Sequence, residues 1–205
     1  MAGTQTDDPV DVTFRPGIQI GRLWGIPFVG LWIRALILIP HFIVLYVIGF
    51  VAVILSLVTW IPVLVSGRYP SWGYRWVGGY LRWSARLNAY LSFLTGAYPA
   101  FSLGTQPTDD IWVRIDEGQS INRLWGIPFV GLWVRSLILI PHFVILLVLG
   151  IVAGILALFS WIPVLLFGRQ SSLVYTIVGG NLRWSTRVLA YLFLMTDRYP
   201  PFSLE

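Results

Sequence analysis

Arg22-Leu-Trp-Gly-Ile-Pro-Phe-Val-Gly-Leu-Trp32, running on through Ile39-Pro40-His41-Phe42 to Gly67, decides how the chain is built, because it is written twice. A shift of 101 residues lays Arg22–Leu103 on Arg123–Leu204 without a gap, with 53 identities in 82 positions. A match of that length is an internal duplication, so the chain holds two copies of one structural unit.

Outward from that stretch, composition sets the class. Of 205 residues 57% are hydrophobic and 11% charged, with a mean hydropathy of +0.76; a soluble domain carries roughly 25% charged residues. The expectation is an all-α integral-membrane protein in the cell membrane. All fourteen cations are arginine, and they lie within apolar segments rather than in an exposed cluster. That pattern points to membrane orientation and anionic lipid head groups as partners, and away from nucleic acid. The absence of cysteine excludes thiolate chemistry and Cys-ligated metals. Residues 1–9 read as a disordered N-terminus of the mature protein, since Asp7 and Asp8 stand where a signal peptide has basic residues.

Residues 10–103 form the first membrane repeat, 104–110 a linker and 111–205 the second repeat. Each repeat opens on a short alternating strand, Val10–Phe14 or Ile111–Ile115, and the two strands suit pairing as a surface ribbon. Arg22–Trp32, rich in Trp, Gly and Pro, suits the head-group level. From Ala35 to Gly67 there is no charge, and about 20 apolar residues span a bilayer core. That segment reads as a spanning helix kinked near Trp60 and Pro62, with a re-entrant bend at Gly49 as the alternative. A second helix, Ser71–Thr95, repeats as Ser172–Thr196. It carries Arg82 and Arg86, matched by Arg183 and Arg187, on one face at i, i+4.

Arginine at mid-membrane costs about 2.5–3.5 kcal/mol on insertion scales, so this face is expected to meet a cleft, a partner or head groups. All nine acidic residues fall in the termini, the 104–122 linker or at Asp197. Their placement predicts about four transmembrane helices, paired as two helical hairpins about a pseudo-twofold axis along the membrane normal. Termini and linker then share the cytoplasmic side, and the hairpin turns lie opposite.

The run of Arg and Trp before Ile39-Pro40-His41, then Gly67-Arg68-Tyr69-Pro70, Leu81-Arg82-Trp83, Ala89-Tyr90 and Thr196-Asp197-Arg198-Tyr199-Pro200-Pro201-Phe202-Ser203-Leu204, resembles the bacterial membrane family called domain of unknown function 4389. The resemblance covers both copies. It implies a membrane module with a surface strand, spanning helices and a closing Tyr-Pro-Pro-Phe segment, and it implies no activity. The copies depart from each other where Gly96, Ala97 and Ala100 face Asp197, Arg198 and Pro201, and where Tyr69-Pro70 faces Gln170-Ser171.

No carboxylate, phosphate loop, nucleophile elbow or His-Glu metal motif falls in an apolar segment, so no enzyme is expected. The sole histidines, His41 and His142, are duplicates. Either they approach across the axis to ligate a haem or other tetrapyrrole, or each simply bonds a helix-start group. The reading is a non-enzymatic accessory or scaffold subunit that docks on membrane-protein subunits, a second copy or anionic lipid. The contact residues are Arg82, Arg86, Arg183, Arg187, Arg68, Arg169, Trp83 and Trp184. A small anion or lipid transporter and a membrane-shaping hairpin protein are the alternatives.

Overall fold

The computed structural model describes residues 8–15, 17–27, 29–127 and 130–205; most of the expected disordered N-terminus, residues 1–7, lies outside them. The fold is mostly helical, in two tandem repeats. The first holds β1 (Val10–Phe14), a 3₁₀ turn (Arg22–Gly25), α1 (Val29–Ile37), α2 (Ile39–Val58), α3 (Trp60–Ser66), α4 (Ser71–Gly73), a π-helical turn (Tyr74–Gly78) and α5 (Gly79–Leu91). The second repeats them as β2 (Ile111–Ile115), a 3₁₀ turn (Arg123–Gly126), α6 (Val130–Ile138), α7 (Ile140–Leu158), α8 (Trp161–Phe167), α9 (Ser172–Val174), a π-helical turn (Tyr175–Gly179) and α10 (Gly180–Leu192).

Prolines punctuate the long apolar segments. Pro40 and Pro141 stand in the first turns of α2 and α7, where no N–H is needed. Pro62 cannot donate to Val58, and the helix breaks at Thr59 between α2 and α3. The helix runs unbent through Gly49, whose missing side chain admits the Tyr80 ring: a Cβ there would lie 3.0 Å from it. The bend at that glycine is therefore corrected. The arginine-bearing helix stops at Leu91, short of Thr95, because Phe93 and Leu194 adopt the left-handed conformation (φ 58° and 63°) and turn the chain back.

Contacts along the elements fix their directions. Within the first repeat His41 meets Trp83, Gly49 meets Tyr80 and the second half of α2 lies beside Tyr69, so α2 and α5 run antiparallel. Along α5, Gly78 lies against Ile115, Arg82 bonds Val113 and Arg86 bonds Asp109, so α5 and β2 run antiparallel as well. The second repeat copies this with Gly179 against Phe14, Arg183 on Val12 and Arg187 on Val10. The two strands pair antiparallel with Val12 opposite Val113, which are duplicates of each other. The pseudo-twofold axis therefore passes through that pair, perpendicular to the helices. It follows that α5 is antiparallel to α10, and α2 to α7.

Each half completes the other. A Cβ on Gly25 would come within 2.3 Å of the Leu165 nitrogen on α8, and one on Gly126 within 2.4 Å of the Leu64 nitrogen on α3. The 3₁₀ turn of each repeat is thus seated on the apolar helix of the other. Tyr74 donates to the Met195 carbonyl and Tyr175 to that of Leu94. One core runs through both halves, from Val10, Val12, Ile111 and Val113 to Val77, Leu81, Ala85, Val178 and Ala190.

Two segments, Ile39–Ser66 and Ile140–Phe167, are long and apolar enough to cross a membrane, and only 17% and 11% of them is buried. A soluble core helix would be mostly covered; these present Phe42, Tyr46, Phe50 and Ile54, and their counterparts, outward. The expected orientation is corrected by the hydrogen bonds at their ends. Ile121 N–H donates to the Gly67 carbonyl and Ile20 N–H to that of Gly168, both at 2.8 Å, and Arg68 bridges Ser120. The hairpin turns sit beside the linker and the N-terminal segment instead of a membrane away from them. A twofold along the bilayer normal would also leave spanning helices α2 and α7 parallel, whereas they are antiparallel.

Candidate functional site

The arginine pairs are brought together on one layer beneath the ribbon. Arg86 donates to Asp109 at 2.8 Å, with both side chains about 95% buried, and to the carbonyls of Gly104 and Ser102. Arg187 donates to Asp11 at 3.2 Å and to the carbonyls of Val10 and Glu205, with Asp8 at 3.7 Å. Arg82 and Arg183 donate through Nε to the carbonyls of Val113 and Val12 at the symmetry axis. Burial lowers the pKa of both, while Glu117 raises that of Arg82 and Asp11 that of Arg183. The face expected to meet a cleft, a partner or head groups meets aspartates of the ribbon and the linker instead. These guanidinium groups hold the ribbon on the helices, satisfying main-chain carbonyls that the two-stranded sheet leaves over.

Trp83 and Trp184 lie one residue along, on the face toward α2 and α7. Each indole N–H donates to a histidine Nδ1, Trp83 to His41 at 3.0 Å and Trp184 to His142 at 2.9 Å. Phe101 stacks on His41 at 3.7 Å and Phe202 on His142 at 3.9 Å, with Tyr98 and Tyr199 edge-on. A ring whose Nδ1 accepts carries its proton on Nε2. The histidines are enclosed, each by its own repeat, and the closing Tyr-Pro-Ala-Phe or Tyr-Pro-Pro-Phe segment is the wall. The tetrapyrrole arrangement is corrected on that ground: one ring face is stacked, Nδ1 is taken, and Nε2 is buried.

Arg34 and Arg135, which no sequence motif singles out, are further site residues. Both are fully buried. Arg34 donates to the carbonyls of Tyr90 and Thr95 and lies over the rings of Trp24, Tyr90 and Phe93. Arg135 repeats the carbonyl bonds and adds Asp197 at 2.7 Å. Burial lowers each pKa to about 10, with Tyr90 raising that of Arg34, and Tyr191 and Asp197 raising that of Arg135. The sequence signal is the unequal pair Gly96 and Asp197 opposite identical arginines.

Of the exposed candidates, Arg169 lines an open cleft of about 1280 Å³ with Arg15, Arg183, Ser171, Thr176 and Glu205. At the symmetry-equivalent place Asp116, followed by Glu117, occupies the position of Arg15. The cleft is thus basic on one side of the axis, and its rim meets the exposed, apolar Phe167.

No curated protein and no solved structure matches this chain. A family model does match, twice, over residues 29–102 and 130–203. Those two spans take in the α1–α5 and α6–α10 helices with their closing segments, and the chain accordingly belongs, as a tandem pair, to the family described as Domain of unknown function (DUF4389).

Proposed function

We propose that this is a non-enzymatic integral-membrane scaffold that lies within one leaflet, its helices parallel to the membrane plane and its ribbon at the water side. One observation carries the reading: the linker follows the apolar helix from end to end. At one end Asp110 holds Thr95, beside Arg34 and the start of α2; at the other Ser120 and Ile121 hold Arg68 and Gly67. The apolar segment of 28 residues is at most about 42 Å long, and the eleven steps from Asp110 to Ile121 reach about 36 Å. A helix crossing the bilayer would carry this linker across with it, including the half-exposed Arg114 and Asp116. Each charge at mid-membrane costs about 2.5–3.5 kcal/mol. Laid flat, the same charges stay in water, while the flanks of α2 and α7 enter the acyl region by the ~5–10 Å typical of interfacial helices.

A body that widens one leaflet shapes the membrane, so of the three readings the membrane-shaping scaffold is the best supported. The basic cleft on the ribbon side suits anionic head groups. Docking through the helix arginines is the less supported reading, because those groups are already paired. The test is reconstitution with vesicles of two sizes: preferential binding to the small, strongly curved ones, or narrowing of large ones, is expected. Equal partition with no change of shape counts against it.

The length of the two apolar segments favours a second reading, in which they cross in opposite directions and the ribbon faces of two copies meet. Topology separates the two.

A further inference from the structure

We propose that Arg34 is one wall of a binding site for an oxyanion of the phosphate type, occupying the place that the Asp197 carboxylate fills in the other half. In the second repeat that carboxylate bridges two donors, Arg135 Nη2 at 2.7 Å and the Asn122 N–H at 3.0 Å. In the first repeat the same arginine is equally buried and makes the same two carbonyl bonds, but Gly96 stands where the aspartate would be. Among the described residues Arg34 Nη2 has no hydrogen-bond partner, whereas Arg135 Nη2 has one. The counterpart of Asn122 is Gly21, whose N–H gives the second donor.

A buried guanidinium held by carbonyls and rings keeps its charge, so an anion at this point gains a charge-assisted bond that nothing among the described residues supplies. In the second half the position borders solvent, since the Asp197 that fills it is 31% exposed. Its neighbours set the ligand's character. Trp24 lies beneath the guanidinium, and α1 exposes Trp32, Ile33 and Leu36 on the side turned away from Arg34. An oxyanion held at the inner side of a helix whose outer side is apolar and exposed has the chemistry of a phospholipid head group, and free phosphate shares it. The lipid source rests on the leaflet reading above; the site itself does not.

The experiment is thermal unfolding of the full chain in a phosphate-free maltoside detergent, with additions of inorganic phosphate, of phosphatidylglycerol, or of a phosphate-free galactolipid. Wild type is expected to gain about 2–4 °C from phosphate or phosphatidylglycerol at roughly tenfold the dissociation constant, and nothing specific from the galactolipid. Gly96→Asp builds the carboxylate in and should lose the response. Its backbone is not left-handed, and the new Cβ would sit 3.0 Å from the Gln19 carbonyl, a contact a small shift relieves. Asp197→Gly opens the twin site and should enlarge the response, so the test survives a poorly folded Gly96→Asp. Equal responses in wild type and both variants, or none in any, overturn the site. A response to inorganic phosphate but not to phosphatidylglycerol keeps the site and counts against its membrane setting.

Discussion

The N–H of Ile121 donates to the carbonyl of Gly67 at 2.8 Å, and its duplicate Ile20 does the same to Gly168. The start of each repeat is thereby fastened to the end of the other's apolar helix. Two copies of one unit so joined behave as an internal dimer with reciprocal contacts, and what each half lacks is found in the other.

The seat of the exchanged turn is tight, so Gly25→Ala and Gly126→Ala should each destabilise by about 2–4 kcal/mol through overpacking against main chain. Gly150→Ala and Gly154→Ala meet nothing within 4 Å and should be neutral or stabilising by about 0.5–1 kcal/mol, as alanine is in a helix. Thermal unfolding in detergent compares the four.

Arg86→Leu leaves the buried Asp109 carboxylate without its cation, and a loss of about 3–5 kcal/mol follows. Arg169→Leu, on the exposed rim, should stay within about 0.5 kcal/mol while weakening retention of anionic lipid. Unfolding and lipid mass spectrometry on the same samples separate the structural arginine from the lipid-facing one. A docking role for Arg86 predicts the opposite pattern, with stability kept and co-purification lost.

Trp83→Phe removes the indole donor and strands His41 Nδ1 in its aromatic box, at a cost of about 1–3 kcal/mol. Trp184→Phe should match it, because the two boxes are duplicates. A ring-nitrogen NMR spectrum should show Nε2-protonated, neutral histidine in the wild type.

Burial pushes the Tyr175 hydroxyl up to about 12, with Asp110 adding to the shift, while Tyr175 donates to the Leu94 carbonyl. A folded pKa above the unfolded value near 10 means stability is fully present below pH 10 and is lost as pH rises toward 12. Tyr175→Phe should therefore show a smaller alkaline loss than wild type over that window. The variant comparison matters, because Arg34 and Arg135, lowered to about 10, shift stability the other way over the same range.

Much of this was legible in the residues. Duplication gave two equal halves, alternation placed both strands to the residue, and proline spacing marked the break after Val58. Direction was not legible, because a repeat at constant offset is the same string whether its axis lies along the helices or across them. The placement of acids in the termini and linker points to one membrane side only if the acids are free of partners. Asp11 and Asp109 are instead counter-ions; Asp11 meets Arg187 across 176 residues of chain. No local pattern carries a contact of that separation. The π-helical turns at Tyr74–Gly78 and Tyr175–Gly179 were likewise hidden within an ordinary helical period.

The chain has no cysteine, so single cysteines can be placed at will. The most direct measurement is labelling of Arg68→Cys, Arg169→Cys and Glu117→Cys in sealed vesicles with a reagent that cannot cross the bilayer. A scaffold lying within one leaflet predicts that all three react from the same side. Reaction of Arg68→Cys and Arg169→Cys from opposite sides would contradict it, and would mean that α2 and α7 cross the membrane in opposite directions.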